Sequence, residues 1–159
     1  MAGMCLIDAA LLDAVSAEAR QSRRGRKNRN FHGTDDFPAH RLLNAVEPGS
    51  YIAPHRHLDP NKDETMIVLR GRLGLVIFDA VGNVLQTSVL AGGSGAIGVD
   101  IPHGSWHTVL ALESGTIFFE AKAGPFLALA PEERAPWAPQ EGAAEAEGYG
   151  AWLRRLFPG

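Results

Sequence analysis

One cysteine, Cys5, is all that the chain holds, so no disulfide can form within it and nothing implies an oxidising compartment. Long apolar runs are missing as well. None approaches the roughly 20 residues that a membrane helix needs, and Asp8 and Asp13 interrupt the opening MAGMCLIDAALLDAVSAEAR too early for a signal-peptide core. No charge of one sign dominates: 15 Lys and Arg against 18 Asp and Glu leave a formal net charge of -3. That balance steers the protein toward neither nucleic acid nor a membrane surface, and there is no internal repeat. These absences predict a soluble cytoplasmic protein. The remainder, 45% hydrophobic and 21% charged over 159 residues, is ordinary globular composition, enough for one domain around one core.

Along the chain the texture changes twice. Ile7, Leu11, Leu12 and Val15 fall at spacings that suit one face of a short amphipathic helix within residues 4–20, with Cys5 in it. A basic run, RRGRKNR, follows at 23–29 and reads as a solvated connector, with a phosphate or carboxylate as its alternative partner. From Arg41 to Lys122, short runs rich in Val, Ile, Leu and Phe alternate with Gly, Pro, Asn and Asp. Eight strands are predicted: RLLNAV, SYIAPHRH, ETMIVLR, RLGLVIFDA, NVLQTSVL, AIGVDI, SWHTVLAL and TIFFEAK, with a hairpin turn at VGN, 81–83. So many short strands imply an antiparallel all-β sandwich or barrel. The predicted organisation is an N-terminal helix and basic connector over 1–40, the barrel over 41–126, and a Pro- and Glu-rich extension with a short helix over 127–159. Trp137, between prolines in APWAP, is expected to pin that extension to the barrel.

PHRHLDPNKDETMIVLRG, residues 54–71, carries the chemistry. His55 and His57 are two apart, and alternation along a strand aims both imidazoles from one face. A returning strand brings Glu64 beside them, and IPHGSWHTVLAL adds His107 at a strand start. Imidazole nitrogens and a carboxylate oxygen are ligands for divalent Zn, Fe, Mn, Ni or Co. Each histidine alone is an ordinary strand residue; the pair, the acid and Pro102-x-Gly104-x2-His107 together make one metal site the reading. In phase with the pair, Tyr51 is expected to line the same pocket, His103 sits in the turn at its mouth, and Tyr51 or His103 is expected to move protons in catalysis. Arg56 and Trp106 should point away from the ion. Asp59, Lys62 and Asp63 are expected in solvent, and His32 and His40 have no partner in the sequence.

Gly49-x5-His55-x-His57-x6-Glu64-x6-Gly71, followed by Pro102-x-Gly104-x2-His107, resembles the two signature motifs of the cupin superfamily. The gap from His57 to Glu64 is longer than the usual three or four residues, and Ala96 and Ala111 stand where the second motif commonly has Gly and Asn. A wider set of segments, RKNRNFH, RLLNAVEPGSYIAPHRHLDPNKDET, VLRGRLGLVIFD, GVDIPHGSWHTVLALESGTIFFEAKAGP and APWAPQEG, is similar to the WbuC-type cupin-fold metalloproteins. The resemblance implies an all-β jelly-roll barrel with helical extensions and one divalent transition metal ion per chain on His55, His57, Glu64 and His107. By association with O-antigen gene clusters it also implies a small-molecule substrate connected with surface polysaccharide. It leaves the reaction open between isomerase, lyase and dioxygenase chemistry, with a non-catalytic binding module for a sugar or nucleotide sugar as the alternative. Exposed barrel edges add the expectation of a homodimer.

Overall fold

A computed structural model describes residues 3–93 and 95–159; Met1 and Ala2 of the N-terminal segment expected over 1–40, and Ser94, lie outside the described residues. The elements in chain order are α1 (Ala9–Gln21), β1 (Arg26–Asn30), β2 (Ala39–Val46), β3 (Glu64–Arg70), β4 (Arg72–Phe78), β5 (Val84–Ala91), β6 (Gly98–Ile101), β7 (Trp106–Ala111), β8 (Thr116–Ala123) and α2 (Ala146–Arg155). Five strands form one sheet in the order β1-β2-β8-β3-β6, and three form the other in the order β5-β4-β7. Every neighbouring pair is antiparallel. Two such sheets, with sequence neighbours split between them, make a jelly roll, and helices flank it as expected.

Chain alternation sorts the side chains into layers. Met66, Val68 and Phe118 of the larger sheet meet Leu73, Leu75 and Val109 of the smaller one in the central core. The back of the larger sheet, with Leu43, Ala45 and Ile117, packs against Val15 and Ala19 of α1. The back of the smaller sheet, with Val76, Phe78, Trp106 and Leu110, is covered by Ala135, Ala138, Leu153 and Phe157 of the C-terminal segment. Trp137 lies on this second surface, 4.8 Å from the Phe78 ring and 6.1 Å from that of Trp106, so it does anchor the extension. Gly71 alone links β3 to β4, in different sheets, with φ +78° and no room for a Cβ, which would meet Thr116 Oγ1 at 2.5 Å.

Four local expectations need correction. The helix starts at Ala9, where the Asp8 side chain accepts from Leu11 N–H at 3.0 Å, so Cys5 is exposed ahead of it and not within it. Residues 50–57 do not form a strand; His55 makes only isolated bridges, to His107 and Arg134. Pro54 interrupts any ladder there by removing a donor. The basic run, expected as a connector, enters the sheet as β1, paired along its length with β2. Lys62 is buried, not in solvent.

The acidic tail does offset the basic run. Glu141 accepts from Arg24 at 2.7 Å through both oxygens and from Arg26 at 2.5 Å, tying the C-terminal segment to β1. The hydrogen bonds from Arg24 in particular hold the Glu141 carboxyl down at about 2 from the usual 4.5. Because the folded value is the lower one, this stabilisation is complete above the ordinary glutamate range and is lost as pH falls through about 2. The pair is well exposed, so screening leaves it about 1 kcal/mol or less. Urea unfolding at stepped pH should therefore show a small acid-side loss between about 4.5 and 2 that Glu141→Gln removes; an unchanged slope in that variant would contradict the tie.

Candidate metal centre

His55 and His107 are fixed first by backbone. Each donates its N–H to the other's carbonyl at 3.0 Å, which places the two rings side by side with centroids 4.6 Å apart. Each Nδ1 then faces a carbonyl two residues back, Ala53 O at 3.0 Å and Ser105 O at 2.9 Å. A carbonyl only accepts, so both Nδ1 atoms carry the proton and both Nε2 atoms are left with a free lone pair. Burial, helped by the neighbouring His107, lowers the His55 imidazole to about 3, which keeps it neutral and able to bind a cation.

Glu64 opens β3 and is buried, with its carboxylate turned into this group. Its Oε1 lies 2.5 Å from His57 Nε2 and its Oε2 lies 3.2 Å from His107 Nε2. Donor atoms of His55, His57 and Glu64 all fall within 4.8 Å of one another. The longer gap after His57 is absorbed by a turn, closed by Lys62 N–H on Asp59 O at 2.9 Å, so Glu64 still arrives in register. Burial alone would push the Glu64 carboxyl up, but the charge of Lys122, 2.9 Å from Oε1, pulls the other way, and the carboxyl is held below the carboxylate range. A lone pair on His107 Nε2 facing an ionised carboxylate is repulsive unless a cation lies between them. That donor set fits a divalent transition metal.

A second charged layer surrounds the first. Lys122 on β8 places Nζ 2.9 Å from Glu64 Oε1, 3.1 Å from Glu120 Oε1 and 3.5 Å from His57 Nε2. Burial would lower its ammonium, but Glu120 and Glu64 outweigh that and raise it, so it stays charged. Asn44 of β2 donates to the other Glu120 oxygen at 2.9 Å. The group stands in the wall of a cavity of about 670 Å³ that is also lined by Asn28 and Asn30 of β1, His32, His40 and Lys62.

Other expected site residues go elsewhere. Tyr51 is displaced: it is not among the residues lining this cavity, its hydroxyl donates to Pro139 O at 2.6 Å, and its ring packs on Tyr149. Alternation does not carry from His55 back to Tyr51 because no strand joins them. His103 lies outside the cavity lining too, exposed, with its ring nitrogen 2.8 Å from Asp63 Oδ1. Arg56 does point away, its guanidinium 4.3 Å over the Trp106 ring. His32 and His40 have a partner after all, each other: their buried rings stack at 3.9 Å and 9°. Lys62 and the β1 asparagines were hidden in charge-rich text. Their available signal was parity, since Arg26, Asn28 and Asn30 alternate in one phase and Lys62 precedes Glu64 by two.

Residues 7–90 match the family model described as a domain of unknown function, DUF6016. The chain belongs to this family. No curated protein matches the DUF6016 chain significantly. Among solved structures, a conserved protein of unknown function from Streptococcus pyogenes, SPY1581, aligns with a TM-score of 0.52 at 14% identity over 80% of this chain and 93% of that one. KdgF from Halomonas sp. aligns at 0.49 and 18% identity over 64% and 82% of the two chains. A cupin-2 domain containing protein from Shewanella frigidimarina aligns at 0.46 and 23% identity, over 62% and 80%. The likeness is one of fold, and the DUF6016 chain is a jelly roll with short helical extensions. No helix among its described residues is long and apolar enough to cross a membrane.

Proposed function

We propose that this protein is a metal-dependent cupin enzyme acting on a small polar substrate, sugar-derived or a carboxylic acid. The convergence of His55, His57 and Glu64 in the wall of one roomy cavity, with His107 behind them against the second carboxylate oxygen, carries the reading. The four residues would hold one divalent ion of Fe, Mn, Ni, Co or Zn, which when bound supplies Lewis acidity toward a substrate oxygen. Around it, Glu120 and Asn44 fix Lys122, whose ammonium can hold a proton beside the reacting oxygen. Asn28 and Asn30 offer amide groups to hydroxyls. Similarity to the WbuC-type segments supports a place in surface-polysaccharide biosynthesis. The barrel edges, with exposed Leu85 and Val89 on the outer strand β5, support a homodimer.

With Tyr51 and His103 outside the cavity, Lys122 is the proton carrier left nearest the donors, and this favours one alternative: a metal-dependent module that binds a sugar or nucleotide sugar without turning it over. Elemental analysis of protein expressed without added metal should find about one ion per chain. Resupplying a divalent ion to stripped protein at about a hundredfold excess over Kd should add about 2.7 kcal/mol, a rise of about 5–10 °C for a chain of this size. Protein that is metal-free and gains nothing from any of the five ions would end the proposal. Turnover of sugars or small acids by the loaded protein, with oxygen uptake followed for Fe(II), selects the enzyme; tight binding without turnover selects the module.

A further inference from the structure

Lys62 is a cation in the wrong place for a surface lysine. It is 7% exposed and lines the cavity that holds the metal centre. Its Nζ donates to Pro125 O at 2.7 Å. Among the described residues no carboxylate comes within 4.0 Å of it, whereas every other lysine or arginine of the cavity wall has one: Arg24 and Arg26 share Glu141, Lys27 has Glu18, and Lys122 has Glu64 and Glu120. An ammonium has three protons to place, and a buried one without a counter-charge is costly. Retaining it makes physical sense where an anion arrives from outside.

The charge balance of the pocket points the same way. Lys62 and Lys122 stand with Asp35, Glu64 and Glu120 in the lining, and Arg24, Arg26 and Lys27 have only Glu141 and Glu18 between them, so a divalent ion on the donors leaves an excess of positive charge. The polar wall also carries the Asn28 and Asn30 amides and the stacked imidazoles of His32 and His40. His32 Nδ1 lies 3.1 Å from the Arg41 N–H and 3.2 Å from the Arg41 carbonyl, so that nitrogen is spent on the backbone and Nε2 is the one left for a hydroxyl.

We propose that Lys62 is the anion-holding residue of this cavity and that its ligand is a small hydroxylated carboxylate, with the carboxylate at Lys62 and hydroxyls along the β1 and His32–His40 wall. This rests on the cavity being the working site proposed above and narrows its substrate class. A lysine retained to hold a ligand is not retained for stability. Removing its charge therefore leaves the fold as stable as before or more so, while a lysine kept to brace the Pro125 loop would leave the fold weaker when removed.

The test uses the full chain after reconstitution with Mn(II), its metal content measured on the same samples. D-gluconate serves as the hydroxylated anion and D-glucose as its neutral counterpart, each titrated calorimetrically. Gluconate should bind at least tenfold tighter than glucose, and Lys62→Met should lose at least tenfold of the gluconate affinity while keeping its Mn(II) and its Tm. Lys62→Gln, which retains a donor for Pro125 O without the charge, should lose as much, and it keeps the test open should the methionine variant fold poorly. Glucose binding as well as gluconate, unchanged gluconate affinity in both variants, or a fallen Tm with unaltered affinity would overturn the proposal. Wild-type protein that retains no metal would instead overturn the metal-centre reading, and the gluconate comparison between wild type and variants still reads Lys62 on its own.

Discussion

His55→Ala and His107→Ala each leave the purified protein without metal, while His32→Ala keeps a full complement. The reason is geometric. His55 and His107 are clamped to each other by two backbone hydrogen bonds, and each Nδ1 is spent on a carbonyl, so each ring presents one usable nitrogen and it faces Glu64 or its neighbours. Deleting either removes a donor that nothing nearby replaces. Loss of an outer partner of a ligand costs about 10–100-fold in affinity, and loss of a ligand itself should exceed that. Glu64→Gln should behave like the histidine variants, since it removes the negative charge that meets both His57 and His107. His32 stacks on His40 and touches none of the donors, so its loss leaves the metal in place. Elemental analysis of the four variants beside wild type checks this; equal metal loss in all of them, His32→Ala included, would contradict the assignment.

Lys122→Met should cost the metal-free protein about 3–5 kcal/mol, the usual consequence of removing one member of a buried charge cluster. For a chain of this length that corresponds to a fall in Tm of about 10 °C. Glu64 is 3% and Glu120 11% exposed in their side chains, and without the ammonium between them the two carboxylates face each other across a poorly solvated gap. The loss should shrink sharply once a divalent ion neutralises Glu64, and metal affinity itself should not fall, because Lys122 competes with the ion for Glu64 Oε1. Adding Glu120→Gln to Lys122→Met should recover part of the stability, a coupling that a double-mutant cycle measures. Thermal melts of both variants, stripped and reloaded, decide it. A metal-free Lys122→Met protein melting with wild type would show that the cluster is solvated and carries no such energy.

How much of this could be read without coordinates depends on how local each feature is. Strand positions from Arg41 onward followed short-range chemistry: apolar alternation between breakers, and an Asp79–Asn83 turn whose Gly82 has φ +93°. The failures are equally physical. Residues 50–57 read as a strand because of their composition, yet Pro54 interrupts the ladder, and Tyr51 swings out to Pro139 as a result. RKNRN reads as solvated charge, yet it is an edge strand whose pairing with β2 depends on a partner that periodicity cannot see.

From the residues alone came the donors and their chemistry. Two imidazoles two positions apart, an acid and a third imidazole after a Pro-x-Gly turn are ligand types at short spacings, and spacing is a local property of the backbone. Tertiary structure alone decided what surrounds them: that Lys122 from β8 lies on Glu64 from β3, that Asn44 from β2 steadies Glu120, and that Lys62 is sealed in beneath Pro125 with no carboxylate of the described residues within 4.0 Å. Those contacts join residues 58 to 76 positions apart, and which strand lies beside which is settled by packing two whole sheets face to face.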